Sequence, residues 1–170
     1  NSSNLKNPEA RYELVKTMRA SILVMGPLLA KYGKAKISQP GGCNIGARPI
    51  DFHLSGLERM GAEIKSDSKY IYLNAKKLKP IDFSFPKISV TGTENLIMAS
   101  IFTSGITNLE NCAKEPEVVD LVKFLNACGA KIEGAGTSSI MVTGITELHQ
   151  KKWNILPDRI EAGTYLVAGA

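Results

Sequence analysis

Arg48-Pro49-Ile50-Asp51-Phe52-His53-Leu54-Ser55-Gly56-Leu57-Glu58-Arg59-Met60-Gly61-Ala62-Glu63-Ile64 has a second version in the same chain: Glu115-Pro116, Leu125 and then Gly129-Ala130-Lys131-Ile132, with one extra residue between the landmarks. Each version places a proline in the first turn of an amphipathic run, where the missing N–H costs nothing, and a glycine at its end. Phe52, Leu54 and Leu57 are expected to form the buried face in the first. Gly61 and Gly129 then lead into strand-like alternation. Ala62–Lys65 and Tyr70–Asn74 flank the polar turn Ser66-Asp67-Ser68-Lys69, a hairpin pattern. Gly129–Ile132 and Ile140–Val142 repeat it. The period is about 68 residues.

The repeat extends to both sides. Glu9 to Gly33 carries Tyr12, Val15, Met18, Ile22, Met25, Leu29 and Tyr32 at steps of three or four, which predicts a helix kinked or broken at Gly26-Pro27. Lys36–Ser38 follows as a strand. The second unit reads as a strand at Ile88–Val90, a helix over Glu94–Ser104, a strand at Ile106–Leu109 and a helix from Glu115-Pro116 to Cys128. A third copy begins at Asn154–Pro157 with a helix from Asp158. Each unit is therefore strand–helix–strand–helix–hairpin. Such a unit cannot bury its helices and its sheet alone, so copies are expected to pack around a shared core as a closed α/β arrangement.

Composition excludes several classes. With 44% apolar and 22% charged residues, the 170-residue chain is neither disordered nor fibrous. Three cysteines without CxxC spacing argue against a disulfide framework or a zinc site, and only two histidines are present. No cofactor or metal is implied, and a reducing cytoplasm suits the cysteine usage. The longest apolar run, Ile22 to Ala30, contains Gly-Pro and is too short to span a bilayer. The net charge of +5 favours anionic partners. The scattered lysines and 6% aromatics lack the interleaving of a nucleic-acid binder.

Between Lys36–Ser38 and Ile50 lies Pro40-Gly41-Gly42-Cys43-Asn44-Ile45-Gly46-Ala47-Arg48-Pro49, a loop of glycines and prolines around one thiol. Two readings stand: a reactive thiolate stabilised by nearby positive charge, or a structural loop with an incidental cysteine. The second unit acts as an internal control. Its counterpart is Asn111-Cys112-Ala113-Lys114-Glu115-Pro116, without the glycines and with Glu115 in place of Arg48. The scaffold does not require those residues, which favours function at Cys43. Arg19 reads as a surface arginine or a ligand arginine. Lys87-Ile88-Ser89-Val90 reads as an ordinary strand or as one presenting N–H groups to a ligand. Asp51 suits helix capping, and His53 suits packing or hydrogen bonding. Cys112 and Cys128 read as inert.

The Pro40–Asp51 motif resembles the active-site loop of the UDP-N-acetylglucosamine 1-carboxyvinyltransferases, enolpyruvyl transferases of peptidoglycan synthesis. Leu14–Ser21, Gly26–Leu29, Ser55–Glu58 and Leu156–Glu161 are similar to other segments of that family. The resemblance implies an inside-out α/β barrel, with helices within and sheets outside. Residues 1–156 would form most of one domain, in repeat units of about 10–75 and 86–144, and residues 157–170 would begin a second. It implies transfer of the enolpyruvyl group of phosphoenolpyruvate to the 3-hydroxyl of UDP-N-acetylglucosamine with release of phosphate. Cys43 would be the proton donor and the fosfomycin target. Arg19 and Arg48 would bind anionic groups, and Arg48, Pro49, Ile50, Asp51 and Phe52 with Lys87, Ile88, Ser89 and Val90 would hold the UDP-sugar. Thr91-Gly92 departs from the family's usual Gly-Ala. The family's N-terminal Lys-Asn pair and its later catalytic Asp have no counterpart here, so these 170 residues alone are expected to be inactive. The rivals are a 3-phosphoshikimate enolpyruvyl transferase and a non-catalytic nucleotide- or protein-binding repeat module. Oligomeric state is not legible.

Overall fold

The computed structural model describes residues 8–15, 18–38 and 50–170. The Pro40–Pro49 loop, with Cys43, Arg48 and Pro49, lies outside the described residues. The first unit comprises β1 (Glu9–Ala10), α1 (Tyr12–Val15), a 3-10 helix (Arg19–Val24), α2 (Met25–Tyr32), β2 (Lys34–Ser38), α3 (Asp51–Arg59), β3 (Glu63–Ser66) and β4 (Tyr70–Asn74). The second comprises β5 (Asp82–Ser84), α4 (Val90–Ser100), β6 (Ile106–Glu110), α5 (Pro116–Ala127), β7 (Lys131–Glu133) and β8 (Ser139–Thr143), and α6 (Arg159–Ala168) follows.

The repeat is real in three dimensions. The sheets have the same order, β1-β2-β4-β3 and β5-β6-β8-β7, each opening with a parallel pair and continuing antiparallel. Alternation sends one face of each strand inward: Ala35 pairs with Leu73 and Ile37 with Ile71 in one sheet, Leu109 with Ile140 in the other, all buried. The opposite faces are open to solvent, and α2, α3, α4 and α5 bury residues on the inner side, whereas α6 buries none. α4 is the innermost element. Gly92 to Ile97, Ala99 and Ser100 are all buried, so it is surrounded on nearly every side.

Three expectations are corrected. The segment from Glu9 does not kink or break at Gly26-Pro27: the break falls before Met25, at the change from 3-10 to α geometry, and Gly26-Pro27 lies inside the first turn of α2. There the proline N–H would have had no intrahelical partner, so it is tolerated. Lys87–Val90 is not a strand start. The strand is β5, and Ser89 caps α4, its Oγ accepting from the Gly92 N–H at 3.1 Å. The helix consequently runs over Val90–Ser100 rather than Glu94–Ser104. On α3 the buried face is His53, Gly56, Leu57 and Met60, while Phe52 and Leu54 are half-buried.

Two glycines set how closely the helices approach α4. A Cβ on Gly26 would stand 2.5 Å from both the backbone oxygen and Oδ1 of Asn95, and one on Gly56 would stand 2.4 Å from a Leu96 methyl. Among the described residues, no helix is long and apolar enough to cross a membrane.

Candidate functional site

The chemistry-bearing residues converge where the 3-10 helix, α3 and α4 meet. Asn95, buried on α4, is the junction. Its Oδ1 accepts from the Gly26 N–H at 2.7 Å, which orients the amide. Its Nδ2 then donates to the Ile22 carbonyl at 3.4 Å and to His53 Nδ1 at 2.9 Å. Because Gly26 supplies a backbone donor, the amide has one orientation, and His53 Nδ1 must be an acceptor. The imidazole is therefore the neutral Nε2–H tautomer, and that N–H donates to Thr91 Oγ1 at 3.2 Å. A backbone N–H on α2 thus fixes the position of a proton on α3.

The electrostatics agree. His53 is 2% exposed, and burial, with the nearby charge of Arg19, pushes its pKa down to about 4. Arg19 opens the 3-10 helix whose Ile22 carbonyl Asn95 engages beside His53. The structure so brings together Arg19, the α3 start at Ile50, Asp51 and Phe52, and the α4 start at Ser89 and Val90. Asp51 is exposed in the first turn of α3, where its charge complements the helix dipole, but it is not the cap; that position is Ile50. Lys87 and Ile88 are exposed immediately before α4.

Thr91-Gly92 is now explained. The hydroxyl of Thr91 gives His53 its second partner. Gly92 leaves room for the cap, because a Cβ there would stand 2.9 Å from Ser89 Oγ and 3.2 Å from the Phe85 ring. His53 and Asn95 were not expected as a connected pair, since their 42-residue separation hides the contact.

The internal control is also visible. The second unit joins β6 to α5 with residues 111–115, whereas the first joins β2 to α3 with residues 39–50. The shorter connection is knitted into the fold: Cys112 donates through sulfur to the Leu109 carbonyl, and the Ala113 N–H donates to Thr93 Oγ1. Burial pushes the Cys112 thiol up to about 11, so it stays protonated and inert. Cys128 is buried as well.

A second group was missed by sequence reasoning. Glu94, one turn beyond Val90 on α4, is 8% exposed and faces Glu117 and Glu115. Burial, then Glu117, then Glu115 push its pKa up to about 7. Arg159 on α6 holds Glu117 with two N–H···O bonds of 3.0 and 3.2 Å. A groove of about 860 Å³ lies elsewhere, against the C-terminal halves of α2 and α4, with Met98, Phe102, Leu125 and Leu148 in its lining. Its exposed lining is mainly apolar and also includes Lys31, Lys77 and Glu147. No group of three or more His, Cys, Asp or Glu suited to a metal ion occurs among the described residues.

The whole chain, residues 1–170, matches the family model described as EPSP synthase (3-phosphoshikimate 1-carboxyvinyltransferase). It is 59% identical over 167 residues to a UDP-N-acetylglucosamine 1-carboxyvinyltransferase of Koribacter versatilis, covering 98% of this chain and 39% of that protein. It is 59% identical over 170 residues to the protein of the same name from Vesicomyosocius okutanii, covering all of this chain and 41% of that one. The chain thus spans about two fifths of the length of these relatives. Among solved structures, the enolpyruvyl transferase NikO from Streptomyces tendae superimposes with a TM-score of 0.81 at 23% identity, over 99% of this chain and 40% of NikO. An EPSP synthase from Acinetobacter baumannii gives 0.61 at 20% identity, over 76% of this chain and 29% of that one. Both likenesses bear on the fold, which is that of the enolpyruvyl transferases.

Proposed function

Since the chain belongs to the EPSP synthase (3-phosphoshikimate 1-carboxyvinyltransferase) family, we propose that it is the portion of a UDP-N-acetylglucosamine 1-carboxyvinyltransferase that carries the reactive loop and much of the UDP-sugar site. One observation carries the choice of acceptor. The chain keeps 59% identity along its whole length with proteins of that name, against 20% with an EPSP synthase of the same fold.

The chemistry requires a proton for the methylene carbon of phosphoenolpyruvate, which creates oxocarbenium character at the adjacent carbon. The sugar 3-hydroxyl then adds, and elimination releases phosphate. A thiol suits the proton donor, being acidic near neutrality and nucleophilic once ionised, and Cys43 is the candidate. Arg19 and Arg48 supply guanidinium forks for phosphate or carboxylate. Ile50 to Phe52 and Lys87 to Val90 stand at two neighbouring helix starts, where free N–H groups and the positive dipole ends favour the diphosphate. His53 and Asn95 hold these two starts together. The product would feed peptidoglycan assembly.

The test uses the full-length protein with phosphoenolpyruvate and UDP-N-acetylglucosamine. Phosphate release abolished by Cys43→Ala, with fosfomycin adding to Cys43 by mass spectrometry, supports the assignment. Turnover with shikimate 3-phosphate instead overturns it.

A further inference from the structure

Glu94 is the group in this fold whose state neither its surroundings nor the proposed chemistry explains. Its side chain belongs to the innermost helix and is 8% exposed. Among the described residues its carboxyl makes no hydrogen bond or ion pair. Across the α4–α5 contact it meets Glu117 and Glu115, at the start of α5, and Glu115 Oε2 is itself buried without a partner. From α6, Arg159 engages Glu117 alone. From α3, His53 is neutral and committed to Asn95 and Thr91, on the α4 positions either side of Glu94.

Three carboxyl groups and one guanidinium need a further positive charge, either a cation or a proton. Burial decides between them. Glu94 is 8% exposed and stands beside two further carboxyl groups, and both desolvation and like charge favour its protonated form. A proton needs no room.

We propose that Glu94 holds a proton between α4 and α5, and that its loss turns the N-terminal rim of α4 against an anionic ligand. The raised pKa, about 7, puts the change within the physiological range. Ionised Glu94 adds one negative charge a single helical turn, about 5.4 Å, from Val90. This rests on the reading above, in which the UDP-sugar diphosphate lies at Lys87 to Val90. By linkage the effect is reciprocal: a diphosphate at that rim raises the proton affinity of Glu94. Glu94 thereby sets the charge behind the site without touching the reacting atoms.

The experiment measures UDP-N-acetylglucosamine affinity calorimetrically in the full-length protein at about pH 6 and about pH 8.5, a range in which the diphosphate diester does not titrate. Wild type is expected to bind about five- to tenfold more weakly at the higher pH, and Glu94→Gln to lose that step. A step of the same size in Glu94→Gln, or none in wild type, overturns the proposal. In parallel, carboxyl-13C-glutamate wild type is followed by infrared spectroscopy. A protonated-carboxyl band present at about pH 6 and gone at about pH 8.5 supports the buried proton. Its absence at the lower pH overturns the proposal even if the variant fails to fold. If UDP-sugar binds at neither pH, the substrate reading falls, and the infrared band alone then decides whether Glu94 carries the proton.

Discussion

Replacing Gly26 by alanine tests the junction from the α2 side. The new methyl would stand 2.5 Å from the Asn95 backbone oxygen, 2.5 Å from Asn95 Oδ1 and 3.2 Å from Ala99 Cβ. Ordinary contact begins near 3.4 Å, so α2 must withdraw from α4 by roughly 0.9 Å. The obstacle includes backbone and cannot swing aside. Such overpacking costs about 1–3 kcal/mol. The withdrawal also stretches the Gly26–Asn95 bond, and a buried amide left without its donor costs about 1–3 kcal/mol more. Alanine's better helix propensity returns at most about 1 kcal/mol. The net expectation is a loss of about 2–4 kcal/mol. Urea unfolding of the full-length protein measures it, with nitrogen NMR of His53 reporting the tautomer. A Gly26→Ala protein within about 0.5 kcal/mol of wild type, with His53 still in the Nε2–H form, would refute the reasoning.

The remaining predictions concern charge and partners. The folded pKa of His53 is about 4, below its ordinary value of 6.5, so the unfolded chain binds the extra proton first. Stability is complete above about pH 6.5 and falls as pH drops towards 4, by up to about 3 kcal/mol, and His53→Gln should flatten that limb in acid unfolding curves. Glu94 has the opposite sign. Its folded pKa is about 7 against 4.5, so stability is fullest below about 4.5 and declines through 7. Glu94→Gln should therefore raise the melting temperature at about pH 8.5 and leave it nearly unchanged at about pH 4. Thr91→Val removes the acceptor for a buried imidazole N–H and should cost about 1–2 kcal/mol in urea unfolding. Arg159→Ala breaks an exposed ion pair on Glu117 and should change stability by less than about 1 kcal/mol.

The unit order was legible because it rests on local patterns: the paired glycines at 61 and 129, the two hairpins and the two X-Pro helix starts. Element edges were less so. Ile88-Ser89-Val90 has the composition of a strand, yet Ser89 closes a cap with Gly92, and one side-chain bond outweighs β-propensity there. The step from 3-10 helix to α2 was hidden because both place apolar residues three or four apart. At the site, Arg19 and the starts of α3 and α4 could be nominated singly. Their meeting could not, since it runs through Asn95, whose partners lie 42 to 73 residues away in the sequence. Glu94 was invisible for a related reason: a glutamate on an amphipathic helix reads as solvent-facing until that helix proves to be the innermost one.

Asn95 has a consequence for how such a sequence can change. One side chain reads a backbone donor at residue 26, a carbonyl at residue 22 and an imidazole at residue 53. An aspartate in its place could still accept from Gly26, but it would set lone pairs against the Ile22 carbonyl and His53 Nδ1. A histidine charged in response would then be buried beside Arg19. Positions 26, 53 and 95 are therefore mutationally entangled: single replacements fall into valleys, and only coordinated changes lead out. In a deep mutational scan of the full-length protein, this triplet should show the strongest non-additivity between the two halves of the chain's first 100 residues.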